Sequence, residues 1–209
     1  MWWPWRRTSP WAAITLEHLA TEGFVALDLE TTGLDSRRDA VVSLAAIPFV
    51  ARIPQPGLRT LVNPGRPIPA ASTRIHGLTD AAVAGGPAIA DVLPELSAAC
   101  ERRVLVGYAI DFDLAVLRHA ARAASLPPLR NPALDARDLA AALSVTGPET
   151  TLESLADRLG VPVEGRHTAA GDAIIAGRIL LRLLGEFEAR GVRTVTELLR
   201  LQRKARHRR

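Results

Sequence analysis

Two carboxylates stand inside an otherwise apolar run, FVALDLETTGLD, near the start of the chain. Residues two apart on a strand point to the same face, so Asp28 and Glu30 project side by side and the apolar residues Val25, Leu27 and Leu29 face the packed side. An ionised carboxylate is costly to desolvate unless a cation lies against it, and carboxylate oxygens suit Mg²⁺ or Mn²⁺. The pair therefore predicts a divalent metal site. The alternative is a strand that frays at Leu27 and leaves both acids solvated.

Two further acids occur in VLVGYAIDFDLAVLR, just past a predicted buried strand. Asp111 and Asp113 lie at the start of a predicted helix, a position that favours negative charge and commonly lines a site on an α/β sheet. Simple helix capping is the preferred interpretation for Asp111. Asp113 is the better candidate for a site.

A histidine and an aspartate occur together in GRHTAAGDAIIAGRILL. Asp172 begins an apolar helix, and His167 precedes it by five residues, which in a helix would be a rotation of about 140°. The two side chains could not share a face of one helix, so His167 must lie on the preceding loop if both serve one site. The alternative is an ordinary surface histidine.

The elements that would position these residues begin with three short strands joined by turns, which indicates an antiparallel meander, and continue with alternating helices and strands. This order predicts an α/β protein with a mixed sheet. The predicted strands are residues 24–30, 40–50, 58–62, 103–108 and 133–134, and the later predicted helices are residues 87–101, 111–124, 135–144, 150–159, 171–191 and 194–209. Pro94 predicts a kink or the true start of its helix. Capping boxes are predicted at Thr150 with Glu153 and at Thr194 with Glu197.

The composition indicates a globular protein, with 48% hydrophobic and 23% charged residues and no apolar run near the ~18 residues of a membrane span. We expect a soluble protein. The single cysteine, Cys100, excludes an internal disulfide framework and a cysteine-based zinc cluster, and it fits a reducing cytoplasm. The predicted organisation is an N-terminal Trp/Arg arm with a short helix (1–22), a main domain (23–190) and a C-terminal helix with a basic tail (191–209).

The positive charge is concentrated at the C-terminus. The ten residues 200–209 hold six basic side chains and no acid, so 20 basic and 22 acidic residues, a net charge of −2, remain in the rest of a chain whose total is +4. Such a tail could bind a polyanion through counterion release, or it could be a solvated end.

The N-terminus contains an arginine pair in MWWPWRRTSP. A secretory signal needs an apolar core of about 7 to 15 residues after its charges, whereas the following segment contains Glu17, His18 and Glu22. We therefore predict no export signal and instead a Trp-rich arm leading into a short helix, with Ser9 as N-cap and Pro10 at the first position.

Taken together, Asp28-x-Glu30 in DLETTG, Phe112-Asp113, and His167-x4-Asp172 resemble the three exonuclease motifs of the DEDDh family, which includes proofreading epsilon subunits of bacterial DNA polymerase III. The segments STRIHGLTDAAV and ALDARDLAAAL also resemble landmarks of that family, in the same order. The similarity spans residues 24–184.

The resemblance implies a ribonuclease H-like three-layer fold and 3′-5′ removal of nucleoside monophosphates from the single-stranded 3′ end of a nucleic acid, DNA more than RNA. It implies two divalent metal ions, Mg²⁺ or Mn²⁺, with Asp28, Glu30, Asp113 and Asp172 as ligands and His167 as the general base. Physical chemistry agrees, because two metals stabilise both the attacking and the leaving oxygen of a phosphoryl displacement. An imidazole, with an ordinary pKa of about 6.5, can accept the proton of the attacking water.

The same resemblance places the terminal nucleotide against Thr31, Leu34, His76 and Gly77, although Thr31 could be a turn residue and Leu34 plain core. Relatives often have His-Asn where this chain has Tyr108-Ala109, so contacts near the substrate could differ. Two alternatives therefore stay open: a nucleic-acid-binding module with weak turnover, and an exonuclease directed at RNA. The chain contains no polymerase domain, so a proofreading role would require a DNA polymerase subunit as partner.

Overall fold

The computed structural model describes residues 11, 13–145 and 150–207, and these form a mixed sheet with helices on both faces. The strands are β1 (Phe24–Thr31), β2 (Val41–Val50), β3 (Ile53–Pro54), β4 (Leu58–Leu61), β5 (Leu105–Gly107) and β6 (Ala133–Asp135). The helices are α1 (Leu16–Thr21), α2 (Ala70–His76), α3 (Asp80–Val83), α4 (Ile89–Ala99), α5 (Asp111–Ala123), α6 (Ala136–Ala142), α7 (Leu152–Arg158), α8 (Ala169–Ala189) and α9 (Val195–Arg206).

The sheet is antiparallel on one side of β1 and parallel on the other. Its order is β3-β2-β1-β5-β6, and β4 pairs with β2. β1 runs antiparallel to β2, with Phe24 opposite Phe49, and parallel to β5, which in turn runs parallel to β6. This arrangement confirms the predicted mixed sheet and the three-layer α/β class. The two-residue strand β3 was not predicted, because a strand this short has no measurable alternation of apolar residues.

Two apolar cores lie on opposite faces of the sheet, and β1 contributes to both by strict alternation. Phe24 and Ala26 pack in the core that includes α8, whereas Val25, Leu27 and Leu29 pack in the core that includes α4 and α5. The same alternation directs the side chains of residues 28 and 30 to the α8 face of the sheet. The predicted two-faced character of this strand is therefore confirmed.

Helix α8 lies very close to the sheet. The rings of Phe24 and Phe49 stack with centroids 4.8 Å apart. Gly177 of α8 approaches this pair so closely that an added Cβ would lie 2.5 Å from the Phe49 ring. Asp172 is five residues earlier on the same helix, so the packing at Gly177 fixes how far the Asp172 side chain stands from β1.

Several local predictions are corrected by the structure. The capping box of α7 uses Thr151 and Ser154 rather than Thr150 and Glu153. The hydroxyl of Ser154 closes the box, which leaves the carboxylate of Glu153 available for an ion pair described below. Pro94 lies inside α4, which begins five residues earlier at Ile89. The capping box of α9, Thr194 with Glu197, is confirmed, and the predicted cap at residues 9–10 lies outside the described residues.

The C-terminal helix α9 covers the edge of the sheet at β6. The side chain of Gln202 accepts a hydrogen bond from the Asp135 N–H at 2.7 Å and donates one to the Ala133 carbonyl oxygen at 3.2 Å. Four residues later, the Arg206 guanidinium forms ion pairs with Asp111, Asp135 and Asp138. Helix α9 is therefore joined to the ends of β6 and α5. The boundaries proposed for the three regions of the chain stay a prediction.

Within the part of the chain that the structure describes, no helix has both the length and the apolar character needed to cross a bilayer. Cys100 is a free thiol at the end of α4, and it is completely buried. Burial raises the pKa of this thiol to about 12, so it remains protonated at neutral pH and is a poor nucleophile.

Candidate active site

Three carboxylates from distant parts of the sequence meet where β1 passes the first turn of α8. One oxygen from each of Asp28, Glu30 and Asp172 lies within 4.8 Å of the other two. Asp172 is only 7% exposed, and its Oδ1 atom is buried without a hydrogen-bond partner among the described residues. A buried, unpartnered carboxylate oxygen that faces two others is the arrangement that a divalent cation would complete. The donor set therefore fits Mg²⁺ or Mn²⁺.

Asp113, the fourth predicted ligand, lies beside this group rather than within it. It is 5% exposed, and its Oδ1 atom accepts a hydrogen bond from the Leu29 N–H at 3.1 Å. Leu29 is between the two acids of β1, so this bond fixes the start of α5 against the acidic part of the strand. The Asp113 charge also raises the pKa of Asp28, which shows that the two carboxylates are close enough to interact.

The electrostatics of the cluster disfavour four simultaneous charges. Burial raises the pKa of Asp28 well above its usual range, and the charges of Asp113, Asp172 and Glu30 raise it further. Burial, with a further contribution from the charge of Asp172, raises the pKa of Glu30 to about 7. Without a metal, the site therefore holds protons at a pH where isolated carboxyl groups would be ionised.

From this proton binding we predict how the stability of the metal-free protein depends on pH. The unfolded chain releases the Glu30 proton near the ordinary pKa of 4.5, whereas the folded protein retains it up to about 7. The folded state binds more protons in this interval, so the free energy of unfolding should decrease as the pH rises from about 4.5 to 7. We expect the melting temperature measured in EDTA to fall over this range, and we expect Glu30→Gln to make the fall smaller.

Exposed Glu186 provides the matched control, since Glu186→Gln removes the same charge away from the cluster. Glu186→Gln should leave the pH dependence as it is in the parent protein. An unchanged pH dependence in Glu30→Gln would contradict the prediction.

Arg166, which no local sequence pattern predicted, supplies the nearest positive charge. Its Nη1 atom forms an ion pair with Asp172 Oδ2, and its Nε atom lies 2.6 Å from Glu153 Oε1. The Arg166 charge lowers the pKa of Asp28, Glu30 and Asp172, which opposes the effect of burial. The guanidinium therefore offsets part of the negative charge of the cluster from one side.

His167 lies on the loop before α8, as the spacing to Asp172 required. It is exposed, has a backbone φ of 61°, and forms a backbone hydrogen bond with Asp172. Its Nδ1 atom is 3.3 Å from Nη1 of Arg166. The backbone of His167 is thus held to a predicted metal ligand, whereas its imidazole ring is open to solvent.

Gly171 sets how closely this loop packs on α8. A Cβ atom at Gly171 would lie 1.9 Å from the Gly165 carbonyl oxygen, so Gly171→Ala must push the loop that carries His167 away from the helix. A displacement of about 1 Å can reduce turnover about 10²-fold, and we expect a loss of that order in kcat, measured on a labelled oligonucleotide.

Gly185 offers a control on the same helix, because an added Cβ there has no neighbour within 4 Å. Gly185→Ala should keep full activity and stabilise the protein by up to about 1 kcal/mol through helix propensity. Equal kcat values in Gly171→Ala and Gly185→Ala would show that the position of the loop that carries His167 is unimportant for activity.

A cavity of about 380 Å³ opens beside the acids. Of the residues predicted to contact a nucleotide, Thr31, Leu34 and His76 line this cavity, whereas Gly77 does not. Gly77 instead ends α2 in the left-handed conformation, with a φ of 74°. Leu34 is 88% exposed, so it is not a core residue, and its apolar side chain is free to contact a base. The Thr31 hydroxyl donates to the Gly33 carbonyl oxygen at 2.6 Å, which also gives it a turn role.

The His76 ring is held in a fixed orientation beside this cavity. Its Nδ1 atom accepts a hydrogen bond from the Leu78 N–H at 3.0 Å, which assigns the ring proton to Nε2. Burial lowers the pKa of His76, so the ring is neutral at neutral pH. Ser72, which also lines the cavity, was not predicted. Its hydroxyl donates to the Thr32 carbonyl oxygen at 2.7 Å and so joins α2 to the loop after β1.

The Tyr108-Ala109 pair, which stands where the family resemblance leads us to expect His-Asn, also lines the cavity. The Tyr108 hydroxyl donates to the Thr150 carbonyl oxygen. Ala109 has a φ of 56°, and its N–H donates to Asp135 Oδ1 at 3.1 Å. Asp135 therefore supports the loop before α5, a role that was not predicted from the sequence.

A carboxylate cluster between the first strand of a mixed sheet and a long helix, with a histidine on the adjoining loop, is the arrangement that the family resemblance predicts. Residues 25–180 match the family described as Exonuclease (RNase_T), and the chain belongs to that family. The family resemblance found in the sequence is confirmed.

Named relatives agree with this assignment. The chain is 42% identical over 186 residues to a DNA polymerase III subunit epsilon-like protein of Rhodobacter capsulatus, a match that covers 87% of this chain and 26% of the relative. It is 29% identical over 180 residues to the DNA polymerase III subunit epsilon of Aquifex aeolicus, covering 86% of this chain and 89% of that protein. The chain thus spans about a quarter of the first relative and most of the second.

Solved structures show the same fold. Exonuclease X in complex with 5′ overhanging duplex DNA superposes with a TM-score of 0.67 at 24% identity, covering 86% of this chain and 99% of that one. Exonuclease I of E. coli in complex with an oligonucleotide superposes with a TM-score of 0.66 at 18% identity, covering 80% and 43% of the two chains.

Proposed function

We propose that this protein is a metal-dependent 3′-5′ exonuclease that removes nucleoside monophosphates from the 3′ end of DNA. The observation that carries the proposal is the meeting of Asp28, Glu30 and Asp172 within 4.8 Å, although Glu30 and Asp172 are 142 positions apart in the sequence. Asp113 lies beside this group, and His167 is on the loop next to Asp172. Membership of the exonuclease family supports the same conclusion.

Each side chain then has a distinct role. Asp28, Glu30 and Asp172, with Asp113 beside them, would hold two divalent ions, Mg²⁺ or Mn²⁺. Such ions, when bound, stabilise the attacking and leaving oxygens of a phosphoryl displacement. His167 would accept the proton of the attacking water from its loop position, since its ring is exposed.

The cavity beside the acids would receive the terminal nucleotide. Leu34 offers an exposed apolar surface for the base, and Thr31 and His76 line the same cavity. The cavity volume of about 380 Å³ is at the lower end of the ~300–1,000 Å³ that is usual for small-molecule sites. It suits one nucleotide rather than a longer segment.

The test is cleavage of end-labelled oligonucleotides. With Mg²⁺ or Mn²⁺, the protein should shorten single-stranded DNA from its 3′ end and release mononucleotides, and EDTA should stop the reaction. Parallel reactions with mismatched DNA, duplex DNA and RNA would define the preferred substrate. Release of internal fragments, or no metal-dependent product with any substrate, would refute the proposal.

A DNA polymerase subunit as partner and a cytoplasmic location belong to the same proposal. The partner is suggested by the relatives that are named as polymerase III epsilon subunits. The location is suggested by the single free thiol at Cys100. Co-purification of a polymerase subunit with the tagged chain, expressed at its natural level, would support the partnership.

A further inference from the structure

The exposed face of α9 carries four basic side chains in a row. Arg200, Arg203, Lys204 and His207 are spaced by three, one and three residues, which places them on one face of a helix. All four are exposed, and together they line a shallow surface groove. We call this set the basic stripe.

The opposite face of α9 is fixed to the protein. Val195, Leu198, Gln202 and Ala205 are buried there. Arg206 also points inward and uses its charge on three acids of the protein. In the described part of the chain, by contrast, no member of the basic stripe forms an ion pair. The helix thus uses one arginine as an anchor and leaves Arg200, Arg203 and Lys204, followed by His207 at its C-cap, facing solvent.

The anchor connects the C-terminal end of α9 to residues that adjoin the candidate active site. Arg206 contacts Asp111, the first residue of α5, and Asp113 is two residues further along that helix. Arg206 also contacts Asp135, which accepts the N–H of Ala109 on the cavity wall. The carboxyl ends of the parallel strands β5 and β6 are at this edge of the sheet, which is where ligands bind in α/β proteins.

The helix dipole accounts for only part of this charge pattern. Cations in the last turn of a helix are favoured by the dipole, and Arg203 and Lys204 are in that turn. Arg200 lies further back, where the dipole has little effect. A row of exposed basic side chains that extends beyond the last turn, and that forms no ion pair with the described residues, instead complements an external polyanion.

We propose that the basic stripe binds the sugar-phosphate backbone of the nucleic acid strand whose 3′ end lies in the acidic cavity. This inference rests on the proposed exonuclease function. Residues 200 to 207 span about 10 Å of helix, and at about 3.4 Å per nucleotide this corresponds to roughly three phosphates. The basic stripe therefore contributes to the binding of substrates that are longer than the one nucleotide in the cavity.

The experiment compares a long substrate with a minimal one. The triple variant Arg200→Gln/Arg203→Gln/Lys204→Gln keeps Gln202 and Arg206, which a deletion of the tail would remove. Binding of a labelled single-stranded oligonucleotide in EDTA should weaken about tenfold or more, and its salt dependence should become shallower by about 2 in a plot of log K against log salt. With metal, the ratio of kcat/KM for this oligonucleotide to that for the p-nitrophenyl ester of thymidine monophosphate should fall by a similar factor.

A matched control removes three exposed arginines elsewhere, as Arg59→Gln/Arg122→Gln/Arg130→Gln. This variant has the same net charge as the stripe variant, and it should bind the oligonucleotide like the parent protein. Equal weakening in both variants would overturn the proposal, because net charge alone would then explain the effect. Unchanged oligonucleotide binding in the stripe variant would also overturn it.

A third outcome would assign the stripe to a different partner. If the stripe variant bound oligonucleotide normally but no longer retained a polymerase subunit, the stripe would be a protein-binding surface and the proposal would be wrong. The wild-type reactions are a separate test of the exonuclease function. Failure of the wild-type protein to hydrolyse either substrate would refute the exonuclease function. Normal wild-type hydrolysis together with unchanged oligonucleotide binding in the stripe variant would refute only the inference about the basic stripe.

Discussion

Replacement of Asp28 by asparagine should reduce hydrolysis at least about a thousandfold, since loss of the charge stabilisation provided by bound metal is worth several kcal/mol. The same substitution should raise the melting temperature of the metal-free protein. Asparagine keeps the shape of the side chain and removes a carboxylate whose pKa is raised by burial and by three neighbouring acids. In a domain of this size, about 1 kcal/mol corresponds to about 2–4 °C.

The hydrolysis rate and the melting temperature are measured on one preparation of Asp28→Asn. Hydrolysis is followed with an end-labelled oligonucleotide in Mn²⁺, and thermal unfolding is followed in EDTA. Added Mn²⁺ should raise the melting temperature of the parent protein and have little effect on Asp28→Asn. Asp157→Asn, an exposed acid on α7, is the control and should be neutral in both measurements. Persistent metal-dependent cleavage by Asp28→Asn would contradict the assignment of the site.

Replacement of His167 by asparagine should reduce kcat by about 10² to 10⁴, the usual contribution of a general base. Asparagine is chosen because the backbone φ at His167 is 61° and asparagine tolerates this left-handed conformation better than alanine does. The backbone hydrogen bond to Asp172 should therefore persist. We expect the affinity for Mn²⁺, measured by titration calorimetry, to stay within about twofold, because no metal ligand is removed.

The separation of kcat from metal affinity is what distinguishes a base from a structural residue. His119→Asn replaces an exposed histidine on α5 and should leave both quantities unchanged. If His167→Asn lowered Mn²⁺ affinity and kcat together, the side chain would be supporting the metal site, and the general base would have to be sought elsewhere.

The site was predictable from the sequence where a single element determines the direction of a side chain. Alternation along β1 indicated that Asp28 and Glu30 share a face, and the apolar core on the other face confirms it. The five-residue spacing in GRHTAAGDA required a loop position for His167, and the structure has it there. These inferences needed only the geometry of one strand and one helix.

Contacts between elements distant in sequence were not predictable. The ion pairs of Arg166 with Glu153 and Asp172 depend on where α7 packs against α8, and no local pattern specifies that packing. Glu153 was assigned to a capping box because it stands three residues after Thr150. The actual box begins one residue later, where the Ser154 hydroxyl completes it. A shift of one residue thus changed the role of Glu153 from cap to ion-pair partner.

The support of Ala109 by Asp135 was missed for a similar reason. Asp135 also caps α6 through hydrogen bonds from the N–H groups of Arg137 and Asp138, which is all that local sequence could indicate. Its bond from the Ala109 N–H, at 3.1 Å, comes from a loop 26 residues earlier. Only the parallel pairing of β5 with β6 brings that loop into contact.

The amide of Gln202 imitates a neighbouring strand. By accepting from Asp135 and donating to Ala133, it occupies a hydrogen-bonding position that a seventh strand would otherwise take. An outermost strand with unpaired backbone groups is a template for association with other chains. One glutamine on a helix therefore protects the border of the sheet against unwanted self-assembly, and it does so on the same helix that carries the basic stripe.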